Sequence, residues 1–163
     1  MSMELDFTGA NELLAAFADL EGPVAEEAIR LGVKAAATVI ADAMREAAPV
    51  LDARSAKSTA LQPGSVRDDI RVVQERPKDG IVTALIGPGK ETQHVALWVE
   101  YGHRLVKGGY SKMLANGKTR GPGADGGRVE PHPFLRPAFD ESEEKAMEQC
   151  ATVGLEAIRE GKR

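Results

Sequence analysis

The sequence is poor in the residues that most often carry covalent, metal or membrane chemistry. Its 163 residues include one cysteine and three histidines, and aromatic residues make up only 4% of the chain. A single cysteine excludes an intramolecular disulfide, and no run of apolar residues approaches the roughly 18 that span a bilayer. We therefore expect one small globular domain, 1–163, that is made in a reducing cytoplasm and has no membrane partner.

The few reactive side chains form no recognisable active site. His94, His103 and His132 include no pair at the i, i+4 spacing that places two metal ligands on one helix face. Cys150 falls on the apolar side of a predicted helix, which favours a core position over a nucleophile. The run Gly87-Pro88-Gly89-Lys90 lacks the full spacing of a phosphate-binding loop. These patterns predict no catalytic residues, no metal and no cofactor, and hence a protein that is not an enzyme.

The charge of the chain is unevenly distributed. The net charge is −4, so there is no overall basic excess of the kind that favours nucleic-acid binding. Between residues 104 and 128, however, six basic residues stand against one acid, Asp125, a net charge of +5 that leaves −9 for the remainder. Because this stretch is also rich in glycine, we expect a long flexible basic loop at about 103–130. Its basic residues are Arg104, Lys107, Lys112, Lys118, Arg120 and Arg128.

The spacing of apolar residues predicts an α+β fold. Apolar side chains at intervals of three and four predict a long helix at about 23–48, bounded by Gly22-Pro23 and by Pro49. Two short β-branched runs separated by Asp79-Gly80 predict an antiparallel hairpin at about 69–86. A short helix at about 93–101 and a long helix at about 140–160, with acids in its first turn, follow. Weaker patterns predict an extra N-terminal strand at 3–7, a helix from Asn11 to Leu20 and a loop at 50–65.

Three ordered segments resemble a known family. The first is Ala48-Pro49-Val50 followed by the strand entry Pro63-Gly64-Ser65-Val66-Arg67-Asp68-Asp69-Ile70. The second is Ile86-Gly87-Pro88-Gly89 followed by the run from Val95 to Gly102. The third is Pro133-Phe134-Leu135-Arg136-Pro137-Ala138-Phe139. Together they are similar to the siphophage neck and tail-completion (head–tail joining) family, the gene-product-ten-like tail components of lambda-like phages. The loops at 50–64 and 102–131 are longer than the links typical of that family.

The resemblance implies a structural virion protein of the head–tail interface, located in the neck or tail and assembled in the host cytoplasm. It implies a homo-oligomeric ring, with a hexamer as the family expectation, around the channel through which DNA passes. The implied neighbours are a head-closure or connector protein and a tail terminator or tail-tube protein. On this basis, we expect six residues to act as interface or anchor positions: Trp98, Glu100, Tyr101, Phe134, Leu135 and Arg136.

Several roles stay open at the level of sequence. Trp98 is expected mainly as an anchor in the core beneath the sheet, with a subunit interface as the other role. Phe134 and Leu135 suit the chain's own core and a neighbour equally, and Arg136 would make a reasonable ion pair with Glu100. The basic loop suits contact with genomic DNA in the channel, an acidic face of an adjacent ring, or plain solvation. The alternative functions are a tail terminator or other tail-capping subunit, and a nucleic-acid-binding module acting through the basic loop.

Overall fold

The computed structural model describes residues 23–50, 62–78, 81–107, 112–113, 119–120 and 124–161, with only the backbone described at 23, 107, 112–113, 119–120 and 124. The described residues form an α+β fold with three pairs of antiparallel strands. In chain order the elements are α1 (Pro23–Ala47), α2 (Ser65–Asp68), β1 (Ile70–Gln74), β2 (Ala84–Pro88), α3 (Gln93–Tyr101), β3 (His103–Lys107), β4 (Lys112–Met113), β5 (Thr119–Arg120), β6 (Ala124–Val129) and α4 (Leu135–Arg159).

The two long helices, α1 and α4, pack closely along their lengths. Each has 25 residues, and the side chains buried between them are mostly small, including Ala37, Ala41 and Ala146. At Gly32 the approach is close, since a Cβ placed there would lie 2.8 Å from the carbonyl oxygen of Cys150. Small residues therefore let the two backbones come near enough to exclude water despite the scarcity of large apolar side chains.

The β1–β2 hairpin lies against α1. Its register pairs Val72 with Ile86 and Val73 with Leu85, and the first pair packs against the core. The guanidinium of Arg45 donates to the carbonyl oxygen of Ile70 from Nε at 3.2 Å and from Nη2 at 2.6 Å. These bonds fasten the start of β1 to the end of α1, where the largest fully buried side chain, Ile70, fills the core.

One apolar cluster joins the helices, the hairpin and α3. Its buried members come from five elements and from the segments that flank them: Ile40, Ala41, Met44, Ala48, Val66, Ile70, Ala96, Phe134, Ala138 and Ala146. Because residues late in α1 share this cluster with residues early in α4, while Gly32 faces Cys150, the two helices run antiparallel. In the part of the chain that the structure describes, each helix is too short or too polar to cross a bilayer.

The predicted α+β class is confirmed, and so are the helices at 23–48 and 93–101 and the hairpin at 69–86. The C-terminal helix, in contrast, begins at Leu135 and not at about 140. Pro137 is tolerated there because the first-turn backbone N–H groups of a helix have no partner within it. The acids from Asp140 onward consequently lie beyond the first turn, so the predicted contact with the positive end of the helix dipole is wrong.

The segment expected to be a loop at 103–130 contains strands. β3 pairs with β6 in antiparallel register from His103 opposite Val129 to Lys107 opposite Ala124, with an irregularity between Arg104 and Val106. β4 and β5 form a further two-residue pairing. The prediction of an unstructured connection is therefore corrected for these strands. The predictions for residues 3–7 and 11–20 lie outside the described residues, as does most of the predicted loop at 50–65.

Candidate functional site

The carboxylate of Glu100 receives the start of the C-terminal helix. Its Oε2 accepts hydrogen bonds from the backbone N–H groups of Phe134 at 2.8 Å and Leu135 at 3.0 Å, and its Oε1 accepts one from Arg136 at 3.2 Å. The side chain of Glu100 is buried, with the residue only 7% exposed. The first N–H groups of a helix have no partner within the helix and carry partial positive charge. Glu100 thus caps α4 from a different helix, α3.

The backbone around Glu100 is shaped to allow this contact. The N–H of His132 donates to the carbonyl oxygen of Val99 at 2.8 Å, which holds the segment before α4 against the end of α3. Gly102, with φ of 68°, ends α3 and turns the chain into β3. A side chain there would overlap the carbonyl oxygen of Val129. The run from Val99 to Gly102 and the proline-flanked run at 133–137 therefore form one structural unit.

The structure divides the predicted anchor residues into two groups. Phe134 is buried at 4% exposure and belongs to the chain's own core, and Leu135 is half-buried beside it. Arg136 has an exposed side chain. It meets Glu100 through its backbone N–H, which replaces the ion pair suggested by the sequence. Glu100 and Phe134 are therefore internal anchors, whereas Arg136 remains available to a partner.

Trp98 does not lie in the core of this chain, and the expectation of a core anchor is wrong. The residue is 46% exposed. Its ring stands edge-on to the His94 ring at a centroid distance of 5.2 Å and lies tilted over the His103 ring at the same distance. The inner side of α3 is occupied by Ala96 and Glu100 instead. The indole is held by two imidazoles while much of its surface stays open.

Trp98 is part of a larger exposed surface, which we call the aromatic face: Leu97, Trp98 and Tyr101 of α3. Leu97 and Tyr101 are one helical turn apart, and they are 50% and 68% exposed. Leu105, in the strand that follows, is exposed as well. Tyrosine and tryptophan are enriched where proteins bind one another, because they bury large areas at low entropic cost. These three exposed side chains are therefore a candidate contact surface.

The outer side of the β1–β2 hairpin carries a smaller exposed apolar pair. Val73 and Leu85 face each other across the two strands, and both are exposed. A two-stranded sheet leaves an open edge on each strand, and such edges readily pair with another chain. This surface is a second place at which a partner could cover apolar side chains.

The turn that precedes α3 is held by Asp69. Its Oδ2 accepts a hydrogen bond from the hydroxyl of the buried Thr92 at 2.7 Å, and its Oδ1 pairs with Arg71. The N–H of Gly89 donates to the backbone carbonyl of Asp69 at 3.1 Å. The Thr92 hydroxyl, and next the Arg71 guanidinium, hold the pKa of the Asp69 carboxyl below its usual value. This cluster joins Gly89 and the turn before α3 to the start of β1, and it therefore positions the aromatic face relative to the hairpin.

The basic residues of the β3–β6 ribbon are exposed on one side. Arg104 lies directly opposite Arg128 in the register, so both side chains project from the same face. Asp125 pairs with Arg104 at 2.9 Å. That hydrogen bond, together with the N–H of Gly127, lowers the pKa of the Asp125 carboxyl. Lys118 and the side chains of Lys107, Lys112 and Arg120 lie outside the described residues.

The described residues bring together no group of histidine, cysteine and carboxylate side chains that could hold a metal ion. The Cys150 thiol is half-buried, and burial raises its pKa, which makes it a poor nucleophile. His94 and His103 flank the ring of Trp98.

A model of one protein family matches residues 11–102, more than half of the chain. The family is described as "Bacteriophage HK97-gp10, putative tail-component". The chain belongs to this family. Among curated proteins and among solved structures, no match was found.

The HK97-gp10-like assignment confirms the resemblance seen in the sequence and places the chain among the structural components of phage tails. The matched range contains Glu100, Gly102 and the aromatic face, while the basic ribbon and α4 follow it. Sequence reasoning missed the roles of Leu97, Asp69 and Thr92. Of these, Leu97 alone had a signal, since it lies one turn before Tyr101 on a short amphipathic helix.

Proposed function

We propose that this HK97-gp10-like protein is a neck or tail-completion subunit that forms a ring joining the phage tail to the head around the DNA channel. The family assignment carries the proposal, because it makes the protein a phage tail component. A ring subunit acts through repeated contacts with its copies and with the rings above and below. The chain therefore needs several separate contact surfaces on one rigid body.

The surfaces of the described chain suit this role. The aromatic face on α3 and the Val73–Leu85 pair on the hairpin are apolar, exposed and carried by different elements. The aromatic face is also rigidly supported, since Glu100 on the same helix is bonded to the start of α4. A rigid surface loses little conformational entropy when it binds, and this favours tight assembly.

The particles that a phage makes without this protein test the proposal. We expect deletion of its gene to yield DNA-filled heads and finished tails of normal length that do not join, as seen by electron microscopy. Complementation with the intact gene should restore joined particles and locate the protein at the neck. Tails of uncontrolled length would instead identify a tail terminator, and joined, infectious particles would contradict a structural role at the head–tail interface.

The implied neighbours follow from the same position. We propose a head-closure or connector protein on one side and a tail terminator or tail-tube protein on the other, with six copies in the ring. The mass of the ring released from purified particles tests the copy number, and crosslinking followed by mass spectrometry identifies the neighbours. A ring mass that corresponds to another copy number would correct the stoichiometry and leave the neck position unchanged.

A further inference from the structure

The strands β3, β4, β5 and β6 form an arm that is distinct from the body of the fold. In the chain β4 and β5 lie between β3 and β6, so the two pairings are nested as in one long hairpin. The register agrees to within one residue, from His103 opposite Val129 to Met113 opposite Thr119. Among the described elements, each of these strands packs extensively only against its partner strand. We call these four strands the basic arm, at residues 103–107, 112–113, 119–120 and 124–129.

The basic arm carries an excess of positive charge. Its strands contain one acid, Asp125, and five basic residues: Arg104, Lys107, Lys112, Arg120 and Arg128. The net charge of the arm is therefore +4, which leaves −8 for the remainder of the chain. This value already includes the acid that pairs with Arg104 at 2.9 Å. Because each strand packs extensively only against its partner, the positive charges remain on the arm whichever way the side chains point.

Two pairs of basic residues lie directly opposite each other across the strands. Arg104 is opposite Arg128, and Lys112 is opposite Arg120. Like charges in directly opposite positions destabilise strand pairing, and a two-stranded ribbon by itself is only marginally stable in water. Asp125 offsets the repulsion in the first pair through Arg104, whereas β4 and β5 contain no acid. A negatively charged partner would relieve the repulsion at both places and stabilise the arm.

The composition of the basic arm favours nucleic acid over protein as that partner. Five of its 15 residues are lysine or arginine. The cores of protein–protein interfaces are depleted in charged residues, whereas protein–DNA interfaces are much more positively charged. The surfaces that suit protein partners, the aromatic face and the Val73–Leu85 pair, lie on other elements. A two-stranded ribbon also fits the major groove of B-DNA, which is about 12 Å wide.

We infer that the basic arm binds the phosphate backbone of double-stranded DNA without sequence preference, and that the arms of the proposed ring contact the genome in the channel. The inference rests on the proposed function for the position of the DNA, and it adds the partner of the arm. Phosphate contact requires positive charge and no fixed side-chain geometry, since lysine and arginine act by neutralising phosphates and releasing counterions. Asp125 limits the affinity, because its carboxylate competes with phosphate for Arg104.

Binding of the full-length protein to two labelled DNA duplexes of unrelated sequence, measured by fluorescence anisotropy over a range of salt concentrations, tests the inference. We expect the wild-type affinity to fall steeply with salt and to be equal for both duplexes. In R104Q/R128Q the affinity at low salt should fall at least about tenfold, and the slope of log affinity against log salt should be shallower by ~1–2. D125N should bind about twofold more tightly than the wild type or better, an effect that damage to the arm would not produce.

Two further variants separate charge from structure. R104K/R128K retains both charges and should bind DNA within about threefold of the wild type. The matched control K34Q/K145Q removes two exposed basic residues from α1 and α4, and it should keep the wild-type salt dependence. Circular dichroism and thermal melting establish that each variant is folded.

Unchanged affinity and slope in R104Q/R128Q, or equal losses in K34Q/K145Q, would overturn the DNA contact. Phage carrying R104Q/R128Q whose heads and tails fail to join, while the purified variant binds DNA normally, would assign the arm to a protein neighbour instead. Both results leave the neck position standing, because deletion of the gene tests it separately. Joined, infectious particles after that deletion would contradict the proposed function, and the titrations would still decide whether the arm binds DNA.

Discussion

The carboxylate of Glu100 accepts a hydrogen bond from the backbone N–H of Phe134 at 2.8 Å. Glu100 and Phe134 belong to two of the segments that resemble the family, and the whole β3–β6 ribbon lies between them in the sequence. Because Glu100 also accepts from the next two N–H groups, one side chain fixes where the long C-terminal helix begins. It thereby sets the position of α4 relative to the aromatic face.

Replacing Glu100 tests this capping role. Glu100→Ala leaves three backbone N–H groups at the start of α4 without their acceptor, and each unsatisfied buried group costs about 1–3 kcal/mol. Allowing for partial rescue by water, we expect the free energy of unfolding to fall by ~2–4 kcal/mol in urea titrations. Glu100→Gln retains one acceptor oxygen, so its free energy of unfolding should lie between those of the wild type and Glu100→Ala. Glu130→Ala, at an exposed position nearby, should change stability by less than ~0.5 kcal/mol, and an equal loss there would contradict the role.

The capping role of Glu100 also explains why the prediction for Trp98 in α3 was wrong. Apolar spacing predicts that Trp98 faces inward, whereas in the structure Trp98 is exposed and Glu100 is buried. Glu100 is inward because its partners are N–H groups more than thirty residues away, and no local pattern reveals such a pairing. Trp98 is displaced to the surface because Ala96 and Glu100 occupy the inner side of a helix with only nine residues.

Other elements were predictable because their limits are local. Pro23 and Pro49 bound α1 through their own backbone restrictions. The turn signal Asp79-Gly80 in the sequence predicted that the runs on either side of it pair, and they do. The β3–β6 ribbon was missed since β6 contains Gly126 and Gly127, which strand propensity disfavours. Its pairing is a long-range property of the fold. The predicted start of α4 was wrong for a related reason. Pro137 usually indicates the end of a helix, and the sequence does not show that Glu100 caps a helix that begins before it.

The close contact at Gly32 yields a prediction about helix packing. In an exposed helix, replacing glycine by alanine gains about 1 kcal/mol. At Gly32 the added Cβ would lie 2.8 Å from the backbone oxygen of Cys150, and forcing α1 and α4 apart costs ~1–3 kcal/mol. The net of these two effects is a loss of ~0–2 kcal/mol of stability for Gly32→Ala in chemical denaturation. The difference in stability between Lys34→Gly and Lys34→Ala, at an exposed position of the same helix, measures the effect of helix propensity alone. A gain of stability at position 32 would contradict the tight packing.

Asp69 should make the stability of the fold depend on acidity. Its hydrogen bond from Thr92 and its pairing with Arg71 lower the pKa of the carboxyl from the usual 3.8. A lowered pKa in the folded state stabilises the protein above pH 3.8, and this stabilisation is lost as the pH falls through the lowered value. We therefore expect Asp69→Asn to be less stable than the wild type near neutral pH, with the difference closing on acidification. Urea titrations over that range measure it, and a constant difference would rule out the carboxylate as the cause.

Substitution of Trp98 should affect assembly more than folding, because its side chain is exposed in the chain and belongs to the aromatic face. It is also the only tryptophan, so its fluorescence reports its own surroundings. We expect Trp98→Ala to cost about 1 kcal/mol of stability through its lost contacts with His94 and His103. In the proposed ring it should cost at least ~2 kcal/mol of association free energy, as exposed aromatic anchors do. Wild-type emission should shift to shorter wavelength on assembly. Trp98→Phe, which retains an aromatic ring, should assemble better than Trp98→Ala. Normal assembly of a folded Trp98→Ala protein would exclude the aromatic face from the interface.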